Sequence, residues 1–398
     1  MTLAAAGAGS PTVLIELGAV VLLLALAGRL ADRIGISPIP LYLLAGLTVG
    51  DGGVVELVTA RSFIETGAQI GVVLLLLMLG LEYSGHELVA SLHTNRAAGL
   101  VDLALNATPG VVVALLLGWS ATAAVFLGGI TYISSSGIVS KLLTELGRVG
   151  NRETPTILSI LITEDLVMAL FLPVAAGLLV ATGVVDTLVD VAVAGLAVAL
   201  AFVLTLRFGE HMSAVVFTPS SEVVLLTLIG IALVVAGSAE EIHAPAAVGA
   251  LLVGIALSGP AADTARIVLT PLRDLFAAVF FVFFGLEIDP ATLLPVLPLA
   301  AGLAVVSAAT KLCTGSWAAR RAGIALPGRL RAGTALIARG EFSIIIAGLA
   351  LAGGLDEPKL GPLAATYVLI LATAGPLLTR FADPVAFAVL RARRDRAR

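Results

Sequence analysis

Apolar runs long enough to cross a bilayer recur along the whole chain, separated by short polar connections. A helix crossing the hydrocarbon core needs about 20 mostly apolar residues. By that criterion the pattern predicts thirteen spanning segments, near 12–29, 37–50, 63–82, 97–118, 121–143, 154–181, 185–206, 220–238, 244–258, 272–288, 293–319, 330–353 and 363–381. The second and ninth are short. Turn and breaker residues punctuate the ends: Pro38 and Pro40, Asp51-Gly52-Gly53, Pro155, Pro219, Pro271, Pro290 and Gly353-Gly354. No connection is long enough for a soluble domain, so residues 1–398 read as one transmembrane unit.

Composition agrees with the pattern. The chain is 59% hydrophobic and only 13% charged, with a mean hydropathy of +1.09, values that exclude an ordinary soluble domain. The expected class is an all-α polytopic membrane protein. A lone cysteine, Cys313, excludes a disulfide framework and a cysteine metal site. The N-terminus has no basic stretch before its first apolar run, so that run reads as a spanning helix rather than a signal peptide. Placing the N-terminus outside puts Arg29, Arg33, Arg148, Arg152, Arg266, Arg320, Arg321, Arg380 and the tail "RARRDRAR" inside, with only Arg61 and Lys359 outside. Lys/Arg asymmetry in short loops sets orientation. The expectation is therefore a multi-pass protein of the plasma (inner) membrane, N-terminus outside and C-terminus cytoplasmic. Its basic tail is suited to anionic lipid, and nothing suggests nucleic acid.

Ionisable groups at bilayer depth change the picture most, because each costs about 2.5–3.5 kcal/mol on insertion scales. Glu16, Glu65, Asp102 and Glu222 lie near predicted helix ends and are expected to reach the interface. Glu164, Asp165, Lys311, Arg339 and Glu341 fall within spans. Adjacent residues on a helix point about 100° apart, so Glu164 and Asp165 cannot both face one partner. Lys311, the only lysine deep within a span rather than at its end, is the expected partner of Glu164. That leaves Asp165 facing a cavity, where a carboxylate can hold a proton or an alkali cation but not both.

The fifth segment contains "GGITYISSSGIVSKLL" and the twelfth "GTALIARGEFSIIIAGLAL". Gly and Ser loosen a helix, and non-helical backbone at membrane depth lines cavities. They stand seven positions apart in the order of segments, an odd offset, so equivalent elements would run in opposite directions, as in an inverted repeat with two broken helices. Segments four and eleven, and six and thirteen, would then also correspond. No residue-level repeat stands out, and the correspondence rests on position and hydropathy. Arg339 and Glu341 are expected to compensate broken-helix dipoles or to pair with each other.

These motifs, in order, resemble the monovalent cation:proton antiporters of the Kef and Nap type. The matching stretches are "ISSSGIVSKLLTELG", "ETPTILSILITEDLVMALFLPV", "FFVFFGLEID" and "ARGEFSIIIAGLA", with Lys311 one helix before the last. The resemblance covers nearly the whole chain. It implies a homodimer with an elevator-type mechanism, a dimerisation part made mainly of segments one to three and eight to ten, and an ion-carrying core of segments four to six and eleven to thirteen with two crossed discontinuous helices. It implies that Asp165 binds cation or proton, that Glu164 pairs with Lys311, and that Thr131, Ser134, Ser135 and Ser136 line the site. It implies no cofactor beyond the transported K+ or Na+. K+ is favoured because the acidic pair is not Asp-Asp and because of the "RGEF" segment. Glu at the first position of the acidic pair departs from the family's Asp or amide. The chain ends without the cytoplasmic nucleotide-binding domain common in Kef-type chains, which implies a separate TrkA-C-type regulatory subunit.

Two other function classes fit less well. An intramembrane aspartyl hydrolase needs carboxylates facing one another across a cleft, and His86, His93, His211 and His243 all fall in or near loops, away from any triad or zinc site at depth. A passive channel would use rings of carbonyls or charges, and no filter-like repeat is present.

Overall fold

A computed structural model describes residues 11–34, 37–50, 61–82, 96–180, 216, 218, 220–241, 246–257 and 259–396. The segment predicted near 185–206 and the four histidines lie outside the described residues. Among the described residues every regular element is helical, and seven stretches are long and apolar enough to cross a membrane.

In chain order the helices are α1 (Pro11–Ile34), α2 (Ile39–Val49), α3 (Arg61–Glu82), α4 (Arg96–Leu116), α5 (Ala121–Tyr132), α6 (Ser136–Glu145), α7 (Thr154–Val180) and α8 (Ser221–Glu241), then α9 (Ala246–Ala256), α10 (Gly259–Leu286), α11 (Leu293–Arg321), α12 (Leu326–Ala335), α13 (Glu341–Ala352), α14 (Leu360–Arg380) and α15 (Ala382–Arg396). Two boundaries differ from expectation. α10 begins well before 272 and runs through Pro271, because one missing donor in a helix braced by neighbours does not end it. The basic tail is wound into α15, whose Asp383 is tied to Arg148 and Arg331.

The helices pack as two groups. α1, α2, α3, α8, α9 and α10 pack mainly on one another, and α4 to α7 with α11 to α14 form the second group. α2 against α14, α7 against α9 and α10 against α13 join the two. Glycine lets backbones approach closely inside the first group, the usual device where lipid offers no hydrophobic drive between helices. A Cβ on Gly46 would sit 2.2 Å from the Val282 carbonyl oxygen, and one on Gly285 2.3 Å from that of Leu43, where α2 meets α10. The same contact recurs between α3 and α9, where Gly80 and Gly254 meet the Leu251 and Leu77 carbonyls. Gly285→Leu is therefore expected to prevent accumulation of monodisperse protein in detergent. Gly230→Ala, with open space around it, should purify as wild type. Equal yields from the two variants would contradict the crossing.

The second group contains the repeat expected from position and hydropathy, here visible at the level of single residues. α5 begins at Ala121 and α12 at Leu326, and α6 begins at Ser136 and α13 at Glu341, each pair 205 positions apart. Gly110 and Gly128 pack α4 on α5, and Gly315 and Gly333, at the same offset, pack α11 on α12. The turns repeat too. Gly118 (φ 78°) and Gly323 (φ 72°) adopt the left-handed conformation that glycine tolerates best. The residues after them, Trp119 and Ile324, bond back to the Ala114 and Ala319 carbonyls at 3.0 Å, closing both helices in the same way.

Both central spans are broken, at 133–135 between α5 and α6 and at 336–340 between α12 and α13. The unwound strands cross and bond to each other. Ser135 N–H donates to the Ala338 carbonyl at 2.9 Å, and the Ser134 hydroxyl to that of Leu336 at 2.9 Å. This satisfies backbone groups that would otherwise be orphaned at depth.

Candidate functional site

α7 places Glu164 and Asp165 beside the crossing, and the helical angle divides them. Glu164 turns towards α11, where Lys311 Nζ donates to its Oε1 at 2.6 Å. Asp165 turns towards α6, where the Ser136 hydroxyl donates to its Oδ2 at 2.9 Å.

Lys311 has a second partner. Its Nζ donates to Asp102 Oδ1 at 2.9 Å and Oδ2 at 3.0 Å. The side chains of Asp102, Lys311 and Glu164 are 0%, 0% and 1% exposed. The expectation that Asp102 reaches the interface is thus corrected. α4 has already turned once beyond Arg96 when it reaches Asp102, and this face packs on α11 rather than reaching water. Asn106, one turn on, donates to Asp102 Oδ1 at 2.9 Å and to the Thr314 hydroxyl at 3.3 Å. The spacing of Asp102 and Asn106 on one face of α4 was the signal available in the sequence.

The three serines, expected to line one site, are shared among three carboxylates. Ser134 gives its N–H to Glu164 Oε2 at 2.5 Å, and its one hydroxyl proton is shared between the Leu336 carbonyl and Glu164 Oε1, at 2.9 and 3.1 Å. The Ser135 hydroxyl donates to Glu341 Oε2 at 2.9 Å, and Ser136 serves Asp165. The Thr131 hydroxyl instead shares its one proton between the Asn106 and Gly128 carbonyls, at 2.9 and 3.1 Å, fastening α5 to α4.

Half-helix dipoles explain the distribution of charge. The N-terminal ends of α6 and α13 carry partial positive charge, and Glu164, Asp165 and Glu341 gather there. The C-terminal ends of α5 and α12 carry unsatisfied carbonyls, and the fully buried Arg339 answers them. Its guanidinium donates to the carbonyls of Thr131 at 2.9 Å, Leu336 at 3.0 Å and Ile337 at 3.2 Å, and to the Tyr367 hydroxyl at 3.2 Å.

A cavity of about 390 Å³ lies between the two helix groups, with Met78 and Arg273 on one wall and Ser136, Asp165, Glu341 and Phe342 on the other. A second cavity of about 390 Å³ shares Arg273 and Glu341 and extends to Ser37 and Tyr42. Asp165 lines this space, whereas Asp102, Glu164 and Lys311 do not. Near the same end, Arg331 bonds Glu153 and Asp383, and Arg148 bonds Asp383 at 2.9 Å. Burial pushes the Glu153 carboxyl up, but hydrogen bonds from Arg331, its own backbone and Asn151 outweigh it and hold the group below its ordinary value.

A family model described as "Sodium/hydrogen exchanger, transmembrane" matches residues 19–382. The chain is 36% identical over 374 residues to the K(+)/H(+) antiporter subunit KhtU of Bacillus subtilis, covering 92% of each chain. It is 30% identical over 384 residues to the Ammonium/H(+) antiporter subunit AmhT of Alkalihalophilus pseudofirmus, covering 94% of each. The fold is similar to that of the sodium proton antiporter MjNhaP1 from Methanocaldococcus jannaschii at pH 8, with a TM-score of 0.69, 19% identity, and coverage of 94% of this chain and 98% of that one.

Proposed function

The chain belongs to the sodium/hydrogen exchanger family, and from that premise we propose that it exchanges a monovalent cation, K+ by preference, for H+ across the membrane, with Asp165 as the shared site. The observation that carries this reading is the division of the acidic pair. Glu164 is occupied by Lys311, while Asp165 is 2% exposed, lines the cavity between the helix groups and is bonded by Ser136. A bare carboxylate there is costly. A proton or a cation relieves the cost, and because only one fits at a time, release of one is coupled to uptake of the other.

The two helix groups support an elevator-type movement. α4 to α7 and α11 to α14 would carry Asp165 past α1 to α3 and α8 to α10, which the glycine crossings stiffen. In the same reading the scaffold group forms a homodimer, and α1 supplies an apolar outer face in Leu14, Leu22 and Leu26. The Lys/Arg asymmetry supports, in the same reading, a cytoplasmic opening for the cavity lined by Arg273 and Ser37, in the plasma membrane. The preference for K+ draws support from KhtU, named as a K(+)/H(+) antiporter subunit, and the expectation of a separate regulatory subunit from KhtU and AmhT, both of which are named as antiporter subunits. MjNhaP1, named as a sodium proton antiporter, supports Na+ as the alternative cargo.

Proteoliposomes loaded with a pH dye and challenged with K+ or Na+ test the reading. The expected result is an internal pH change for both, larger with K+. A larger Na+ response reverses the preference, and no response to either cation overturns the exchange function.

A further inference from the structure

A compact set of charges holds α15 on the helix group that carries Asp165. Asp383, in the first turn of α15, accepts from Arg148 at 2.9 Å and from Arg331 at 2.7 Å. Arg331 also pairs with Glu153 just before α7, and Arg148 donates to the Thr379 carbonyl at 2.9 Å. Arg148 thus bridges the last turn of α14 and the first turn of α15 and fixes the angle between them. Ala382 and Ala386, both buried, face inward, and α15 lies against α12.

The opposite face is bare. At about 100° per residue, positions 381, 384, 385, 387, 388 and 391 share one arc of about 160° on the side away from Ala382 and Ala386, and all six are exposed. Phe381, Val385 and Phe387 are 61%, 52% and 55% exposed. Apolar side chains mixed with an arginine suit a helix lying in a membrane interface rather than one in water. The sequence continues as "RARRDRAR", five arginines to one aspartate from Arg391 to Arg398. Because α15 follows the spanning α14 directly, it starts at headgroup depth. A basic, partly apolar helix there is complementary to anionic lipid.

We propose that this face of α15 lies on anionic lipid of the inner leaflet, and that the Asp383 clamp passes the contact to the helix group carrying Asp165, so that anionic lipid raises the rate of exchange. The effect on rate rests on the exchange reading above; the lipid contact does not. Arg148, Arg331 and Glu153 all belong to the group that would move, so α15 moves with it. Headgroup contact then favours the position in which α15 reaches the membrane surface, and a ligand that binds one position better shifts the population towards it.

The test reconstitutes the full chain with a fluorophore on Ala388→Cys in a Cys313→Ser background. Brominated phosphatidylglycerol is expected to quench the label more than brominated phosphatidylcholine at equal mole fraction, with the difference shrinking as salt is raised. Combining Arg391→Gln, Arg393→Gln, Arg394→Gln and Arg396→Gln should abolish the difference. In the pH-dye assay, wild-type protein should respond to K+ severalfold faster with phosphatidylglycerol present than in phosphatidylcholine alone. Asp383→Asn should keep the quenching difference and lose the stimulation, and Asp383→Glu should regain it. Equal quenching by the two lipids overturns the proposal. So does a label that neither lipid reaches, the result expected of a face reserved for a separate protein subunit. Stimulation undiminished in the four-arginine variant overturns it by placing the lipid effect elsewhere, and this arm still decides should Asp383→Asn fail to fold. Stimulation undiminished in Asp383→Asn overturns the clamp. Absence of a K+ response in either lipid defeats the exchange reading, and the quenching then decides the lipid contact by itself.

Discussion

Asp165→Asn is expected to reduce cation-driven proton exchange to background while leaving the protein folded. The amide has the same shape and can keep a hydrogen bond with Ser136, which donates to Oδ2 at 2.9 Å in the native protein. It can neither take up a proton nor offer a charge to a cation, so neither half of the exchange remains. Stability should not fall, because replacing a buried carboxylate by a neutral isostere removes a desolvation cost. The check is the pH-dye assay alongside thermal unfolding in detergent. Wild-type exchange in the variant would remove Asp165 from the mechanism, and a collapsed melting curve would make its role structural.

Lys311→Met is expected to have the largest effect on folding. It leaves Asp102 and Glu164, 0% and 1% exposed, facing one another with no cation between them. Breaking a buried pair by removing one partner costs about 3–5 kcal/mol, a large share of the roughly 5–15 kcal/mol that keeps a typical protein folded. Proton uptake by one carboxylate offsets part of this. The variant should yield little monodisperse protein and melt well below wild type. Combining Lys311→Met with Asp102→Asn and Glu164→Gln should recover most of the loss, because the amides carry no charge to strand. A Lys311→Met protein that melts with wild type would show that the three groups are not coupled as their distances indicate.

Pairing of Glu164 with Lys311 was legible because two opposite charges within spans have few other places to go. The division between Glu164 and Asp165 follows from the helical angle alone. Asp102 was misplaced because its proximity to a helix end outweighed its spacing from Asn106, and neither says which face packs inward. That depends on α11 lying against α4, and on Lys311 reaching across to the same face. The residue-level repeat was hidden for a related reason. Its glycines and turns recur at a fixed offset, but the chemistry has diverged: Asn106 stands where the other half has Lys311, and Ser136 where it has Glu341. Backbone packing keeps the small residues, and function has replaced the polar ones. The roles of the three serines could not be read from a run of identical residues, since their partners come from α7 and α13 and depend on where the unwound strands cross.

Competition for Asp165 is tested most directly by proton release on cation binding, with purified protein in weakly buffered detergent and a pH dye. Adding K+ to the wild-type protein should acidify the medium by up to one proton per protomer, and Asp165→Asn should release none. K+ binding that calorimetry detects but that releases no proton, or release that persists undiminished in Asp165→Asn, would contradict a single site shared by cation and proton.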